Sequence, residues 1–355
     1  MSKKRILFLG ETYRADAITW MNGLKEFGDF EIVTWELKSN SNGLNRVKRL
    51  LELAKAIFAI KSIVNKFNPD MVIAERTTSY GFLAAISSKK PIAIAQQGHS
   101  DLWPQNSPLY FLKKILQDYA FKKAAIIHAW GDVMAKHMEE SKADMSKVML
   151  LPKGINLDFF EYNNIHEDSE IHAIVTRALQ PEYKHETIIK AFSILKQKKI
   201  PFKLTIIGDG VELNRLTLLA KELGIDNQVY FVGRVKNINI PKYLRMANVY
   251  ISMPITEGVS ASLLEAMASG CFPIVSDLPG NRSWIINKAN GLLVEIENHF
   301  TLADELEWAF HNIDFTKKAI AENRKLVEEK ANYKKNMKKI ANRYHDLINI
   351  KSFTT

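Results

Sequence analysis

At 355 residues the chain is too long for one ordinary domain, and at roughly 150 residues per domain two cores are expected. Apolar residues make up 46% and charged residues 25%, a globular balance that excludes a disordered chain, while the net charge of +10 asks for an anionic partner: a nucleotide diphosphate, an acidic membrane surface or nucleic acid. The one cysteine, Cys271, excludes an internal disulfide and, without a neighbouring ligand cluster, a zinc site; between Gly270 and the strand-like Phe272-Pro273-Ile274-Val275 it reads as a packing residue.

The first apolar run, Ile6 to Leu9, stops at Gly10. It is shorter than the roughly 7 to 15 residues of a secretory h-region, and no stretch approaches the about 18 uninterrupted apolar residues of a membrane span, so a cytoplasmic, soluble chain is expected. Further strands are predicted at 31–35, 70–74, 92–95, 125–129 and 148–151, with amphipathic helices between them, the alternation of a parallel sheet with crossover helices. After Pro152 the text turns polar and acidic, from Glu161-Tyr162-Asn163-Asn164 to Glu167-Asp168-Ser169-Glu170. This marks the boundary: residues 1–160 form one domain.

A second alternating series occupies 161–330, with strands predicted at 173–176, 204–207, 229–232, 249–252, 273–276 and 292–294. From Thr316 to Ile350 a lysine-rich, periodic segment predicts terminal helices, and 331–355 is expected as a C-terminal helix free to cross back to the first domain. Continuous apolar strands such as Leu204-Thr205-Ile206-Ile207 imply burial on both faces, as in doubly wound α/β sheets. Ligands of such sheets bind at the carboxyl ends of the strands, so functional residues are sought just after strands.

The richest text follows the strand ending near Ser252: Thr256-Glu257-Gly258-Val259-Ser260-Ala261, then Leu263-Leu264-Glu265-Ala266-Met267-Ala268-Ser269-Gly270. Ser260 reads as an N-cap and Gly270 as a C-terminal stop. The free amides of Val259, Ser260 and Ala261 at a helix N-terminus suit a diphosphate, and two flanking carboxylates can each accept from a vicinal diol. Taken alone, Glu257 and Glu265 read equally as surface carboxylates.

The E-x7-E spacing with Glu-Ala-Met-Ala-x-Gly and a following Pro-Ile-Val-Ser-Asp strongly resembles glycosyltransferase family 4, the retaining group 1 enzymes of GT-B fold. The resemblance spans the second domain and includes Arg177, Lys184, Ile207-Gly208-Asp209-Gly210, Phe231-Val232-Gly233-Arg234-Val235 and Asn290-Gly291-Leu292-Leu293-Val294. It implies two Rossmann-like domains facing across a cleft, an acceptor-binding first domain and a nucleotide-sugar-binding second one. By the same resemblance, Arg177 and Lys184 hold the donor diphosphate, Glu257 contacts sugar hydroxyls, Glu265 the ribose, and the Gly233–Val235 turn receives the base, while Gly208 and Gly210 let the chain pass close to the nucleotide. The sequence departs from the family pattern at Thr176, at His185 and at Val259-Ser260, all around the sugar and phosphate.

The first domain resembles the family more weakly. Gly10 matches its diphosphate-facing glycine, the 15–24 segment containing Trp20 resembles the first acceptor-side helix, and Gln96-Gln97-Gly98-His99-Ser100-Asp101 follows the fourth strand where the family carries similar text. His99 is thus the candidate for contact with the reacting sugar, against a plain loop histidine; Asp101 either orients His99 or caps a helix.

Two basic amphipathic stretches remain, 46–66 with Glu52 as its one acid and 109–123 with Lys113, Lys114, Lys122 and Lys123. Each is either a helix packed on the sheet or a face for an anionic membrane. Nucleic acid explains the charge poorly, because the basic residues are dispersed and no recognised module is present.

The expected protein is therefore a retaining hexosyltransferase moving sugar from a nucleotide sugar, UDP-linked by family expectation, to a saccharide or lipid-linked saccharide acceptor in surface glycan synthesis. It uses no cofactor and no metal in this reading. An epimerase of nucleotide sugars, or a non-catalytic partner subunit, would share the fold; product without acceptor marks the first, and binding without turnover the second.

Overall fold

The computed structural model describes residues 3–38, 45–95, 108–163, 169–258 and 260–352. The chain forms two compact units, Met1–Lys153 with Lys334–Thr355, and Gly154–Tyr333. No helix among the described residues is long and apolar enough to cross a membrane.

In the first unit six strands, β1 (Arg5–Leu9), β2 (Glu31–Trp35), β3 (Met71–Glu75), β4 (Ile92–Ala95), β5 (Ile126–Ala129) and β6 (Val148–Leu150), pair in parallel in the order β2-β1-β3-β4-β5-β6. Ile6, Leu7, Phe8 and Leu9 are wholly buried, as is required of a strand covered on both faces. Chain order reverses between β1 and β3, which places the crevice of this sheet beside Gly10. The helix Ala15–Gly28 lays Ala17, Trp20 and Leu24, at i, i+3 and i+7, against the sheet. Trp20 packs edge-on against Phe8, His128 and Trp130, with ring centroids 5.5, 5.4 and 5.1 Å away. Burial, reinforced by the charge of Lys153, brings the His128 imidazole down to about 3. It is neutral, and its Nε2 lies 2.7 Å from the Tyr344 hydroxyl, which ties the terminal helix Tyr333–Ser352 into this core.

In the second unit β7 (Ile171–Thr176), β8 (Phe202–Ile207), β9 (Val229–Gly233), β10 (Val249–Ser252), β11 (Phe272–Ser276) and β12 (Leu292–Val294) form a parallel sheet of order β12-β11-β10-β7-β8-β9. Alternate side chains serve two cores. Ala173, Val175, Val249, Ile251 and Ile274 point to one, and Ile174, Tyr250 and Val275 to the other, the period-2 consequence of an extended backbone. Burial of each large aliphatic group contributes about 1.5–3 kcal/mol. Helices on both faces complete the doubly wound arrangement, and the chain reverses direction between β7 and β10.

The boundary expected at 160/161 falls at 153/154. Residues 154–160 join the second unit because their apolar members, rather than the polar text behind them, decide the packing: Ile155 and Phe160 are buried in its core. The Ile155 amide donates to the Ala331 carbonyl at 2.9 Å, and the Tyr333 amide to the Ile155 carbonyl at 3.0 Å.

Candidate functional site

The second unit gathers its chemistry at the carboxyl ends of β7, β8 and β10, beside the switch point. Arg177 follows β7 directly. Its Nε donates to Ser252 Oγ, at the end of β10, over 3.2 Å, its guanidinium lies 5.0 Å from the Tyr183 ring centroid, and it forms an ion pair with Glu257. Glu265, one turn into the helix Ala261–Ser269, also feels this charge: burial pushes its carboxyl up to about 7, with Arg177 pulling the other way. One cation therefore acts on two carboxylates.

The helix that carries Glu265 starts where the sequence places it. Ser260 is its N-cap, Oγ accepting from the Leu263 amide at 3.3 Å, and Gly270 ends it in a left-handed conformation, φ 94°. A Cβ at Gly270 would stand 1.9 Å from the Asn163 carbonyl, so glycine is required there. Ser262 Oγ donates to the Thr176 carbonyl at 3.4 Å, docking this N-terminus on the end of β7. Ala261 is exposed in the first turn and Gly258 half-covered; Val259 lies outside the described residues.

Gly208 and Gly210 are each crowded by the protein's own backbone. A Cβ at Gly208 would meet the Arg177 carbonyl at 2.0 Å, and one at Gly210 the Leu179 carbonyl at 2.2 Å. The close approach they permit is to the protein's own backbone, because the loops after β7 and β8 lie against each other: the Leu179 amide donates to the Asp209 carbonyl at 3.0 Å. These glycines thus set where Arg177 stands.

Lys184 holds a left-handed conformation, φ 48°, immediately before the helix His185–Gln197, and pairs with Glu297. His185 behind it is buried. Burial, with the charge of Arg177, lowers its imidazole to about 4 and keeps it neutral. At the end of β9, the Gly233 carbonyl accepts from the Gly208 amide at 3.0 Å, and Val235 just beyond is half-buried against the second core. The loop after β10 is tied to the 181–183 turn through the Ile255 amide and Glu182 carbonyl, 3.0 Å.

In the first unit Gly10 follows β1, its amide donating to the Trp35 carbonyl at 3.2 Å. A Cβ there would stand 2.7 Å from Glu75 Oε2. Glu75, at the carboxyl end of β3, was not singled out by the sequence reading. It is 2% exposed, and burial pushes its carboxyl up to about 7 against the opposing influence of Lys153. Next to it Arg76, at φ 67°, donates to Glu11 Oε2 at 2.7 Å, which also receives Arg14 at 3.1 Å. An acid ending an otherwise apolar strand was the available signal.

Trp20 is corrected: its indole is wholly buried in the aromatic core, so it has no surface to offer an acceptor. The Ala17, Trp20, Leu24 spacing turns it inward. His99 and Asp101 lie outside the described residues.

Comparison with known proteins fits this geometry. Residues 158–326 match the family model of glycosyl transferases group 1, and residues 6–129 the glycosyl transferase 4-like model. An uncharacterized glycosyltransferase of Methanocaldococcus jannaschii is 25% identical over 277 residues, 72% of this chain and 66% of that protein. The N-acetylgalactosamine-N,N'-diacetylbacillosaminyl-diphospho-undecaprenol 4-alpha-N-acetylgalactosaminyltransferase of Campylobacter jejuni is 31% identical over 124 residues, 35% of this chain and 33% of that one. The matches thus span less than two thirds of either relative. Among solved structures, a glycosyltransferase of Rickettsia africae superposes with TM-score 0.79 at 18% identity, covering 98% of this chain and 99% of that one. Anabaena HepE in complex with UDP and glucose gives 0.73 at 14% identity, covering 95% and 98%. The two doubly wound sheets are those of the GT-B fold.

Proposed function

We propose that this chain of GT-B fold is a glycosyltransferase that moves a hexose-type sugar, with retention, from a UDP-sugar to a saccharide or lipid-linked saccharide acceptor in surface glycan synthesis. The observation that carries this reading is Arg177 paired with Glu257 at the switch point and acting on the buried Glu265, which the capped helix Ala261–Ser269 carries. The named activity of the Campylobacter jejuni relative, on a diphospho-undecaprenol saccharide, and the UDP and glucose bound by Anabaena HepE support the donor and acceptor classes.

The chemistry needs charge where the leaving group forms. As the bond from the sugar anomeric carbon to the diphosphate oxygen breaks, negative charge grows on that oxygen, and Arg177, Lys184 and the helix amides are the groups assigned to stabilise it. A preorganised donor of this kind is worth about 3 kcal/mol in such sites. The acceptor hydroxyl forms the new glycosidic bond on the same face, and its proton goes to the departing phosphate. Glu257 then exchanges Arg177 for sugar hydroxyls, Glu265 takes the ribose hydroxyls, and His99 is assigned to the reacting sugar by resemblance alone. Arg177 and Lys184 supply the positive charge, so the reading requires no metal; turnover preserved in a chelator tests that point.

The main test is thermal stabilisation by a panel of nucleotides and nucleotide sugars. A donor at 100 times its dissociation constant stabilises the native state by about 2.7 kcal/mol. UDP or a UDP-sugar is expected to shift the wild type, and Arg177→Ala and Glu265→Ala to weaken that shift. No shift with any nucleotide sinks the donor assignment. Binding without transfer to any acceptor turns the reading toward a partner subunit, and product formed without acceptor toward an epimerase.

A further inference from the structure

His185 is 2% exposed, and among the described residues neither of its ring nitrogens has a hydrogen-bond partner. A neutral imidazole carries one N–H and one lone pair, and burying both unfilled costs free energy that folded chains ordinarily avoid. The buried hydroxyl of Thr176, next to Arg177 in the chain, is unfilled as well. Such groups call for a reason, and both neighbour the arginine of the candidate site.

The chain brings His185 to Arg177 through a tight turn. The Tyr183 amide donates to the Gln180 carbonyl at 3.0 Å, and Lys184, left-handed at φ 48°, leads from the turn into the helix that His185 begins. The Tyr183 ring faces both residues: its centroid is 5.0 Å from the Arg177 guanidinium and 6.4 Å from the His185 ring, which it crosses at 78°. Burial and the Arg177 charge disfavour protonation of the imidazole more than Glu212 and the Arg177 backbone favour it. The ring is therefore neutral. The Arg177 backbone is close enough to act on it, yet no hydrogen bond joins the two.

On the opposite side the same loop is fastened, the Leu179 amide to the Asp209 carbonyl at 3.0 Å. What is left open is the His185 side. Arg177 is paired with Glu257, and on the donor reading it leaves that pair for the diphosphate. We propose that His185 is a positioning residue for this exchange: as the guanidinium turns to the donor, the Arg177 backbone settles on the imidazole N–H. The hydrogen bond not made while Arg177 is paired with Glu257 then holds the arginine in its donor-bound place. A charged ring would serve badly, since a second cation would repel Arg177. The inference rests on the donor reading and adds to it a side chain that acts without touching the donor.

The test compares wild type, His185→Leu and His185→Gln by calorimetric titration with UDP and by urea unfolding without it. Leucine removes both polar atoms at similar volume. It is expected to bind UDP about tenfold more weakly, the upper end of what one neutral hydrogen bond contributes, while its urea midpoint equals or exceeds that of wild type because the buried unfilled atoms are gone. Glutamine keeps a donor and an acceptor and is expected to bind within about threefold of wild type. The His185 ring N–H proton, identified by its loss in the glutamine variant, is expected to move downfield in NMR spectra of wild type as UDP is added. A wild type that binds no UDP takes the donor reading and this inference down together. If wild type binds UDP, the inference alone is overturned by a leucine variant that binds equally well, by one that loses affinity and stability together as a mere packing role demands, or by a ring N–H signal that does not move.

Discussion

Arg177 and Glu257 form an ion pair whose side chains are only 14% and 15% exposed, so each is held in place by the other while Arg177 also opposes the protonation of Glu265. A pair this covered is costly to break from one side, because it leaves a largely desolvated charge behind. Arg177→Ala is therefore expected to lower kcat/KM by about 10²–10³-fold and to abolish stabilisation by UDP. Arg177→Lys is expected to restore little, since an ammonium cannot reproduce the planar fork that reaches Ser252 and a diphosphate together. Steady-state kinetics of the two variants check this, and a fully active lysine variant would sink the role assigned to Arg177.

Glu265 predicts a pH dependence of nucleotide affinity. Its carboxyl is pushed up to about 7 by burial, yet ribose hydroxyls donate best to the ionised form. Affinity for UDP is expected to fall as pH drops below 7, by up to about tenfold per unit. The diphosphate itself gains a proton in the same range, so the decisive comparison is Glu265→Gln, in which the component due to this carboxyl disappears and the remaining profile is shallower. Calorimetric titration over that pH range measures it; identical profiles in the two proteins would remove Glu265 from the ribose site.

Much of this site was legible because its physics is local. Short apolar runs announced the strands, Ser260 and Gly270 announced the ends of one helix, and the carboxyl-end rule led to Glu257 and Glu265, whereas Arg177 was reached through the family resemblance. What was not legible depends on contacts distant in sequence. Glu75 looks like a residue that merely ends a strand, and its burial comes with a close approach to Gly10, distant in sequence. Gly208 and Gly210 were read toward a ligand, and their close approach to the Arg177–Leu179 backbone was not visible in the text. Trp20 was misplaced although its helical spacing from Ala17 and Leu24 pointed inward, because resemblance was given more weight than periodicity.

The two kinds of glycine at the strand ends should separate in experiment. A Cβ at Gly208 would stand 2.0 Å from the Arg177 carbonyl, whereas at Gly233, φ 78°, nothing lies within 4 Å. Gly233→Ala is expected to lose only about 1–2 kcal/mol, the strain of the left-handed backbone, with UDP binding retained. Gly208→Ala must push two loops apart and is expected to lose about 3 kcal/mol or more together with UDP binding, since Arg177 moves with its backbone. Urea unfolding and nucleotide titration of both variants distinguish them, and equal losses would show that loop contact does not position Arg177.

Glu75 gives the first unit a stability that falls with rising pH. Its carboxyl is raised from 4.5 to about 7, burial being the largest cause, Lys153 and the Glu11 amide favouring ionisation and Asp16 opposing it. Because the folded chain holds this proton more tightly than the unfolded one, the stabilising contribution is full below 4.5 and is lost as pH rises through 7. Glu75→Gln keeps an acceptor for the Glu11 amide without the buried charge. It is expected to be more stable than wild type by up to about 3 kcal/mol near pH 8, and nearly equal to it near pH 4.5, where wild type is itself largely protonated. Glu75→Ala, by contrast, leaves that amide without its partner and a cavity beside Gly10, and is expected to be less stable than the glutamine variant at every pH. Urea midpoints at the two pH values decide the matter, and a glutamine variant that tracks wild type across the range would mean that Glu75 stays ionised inside the fold.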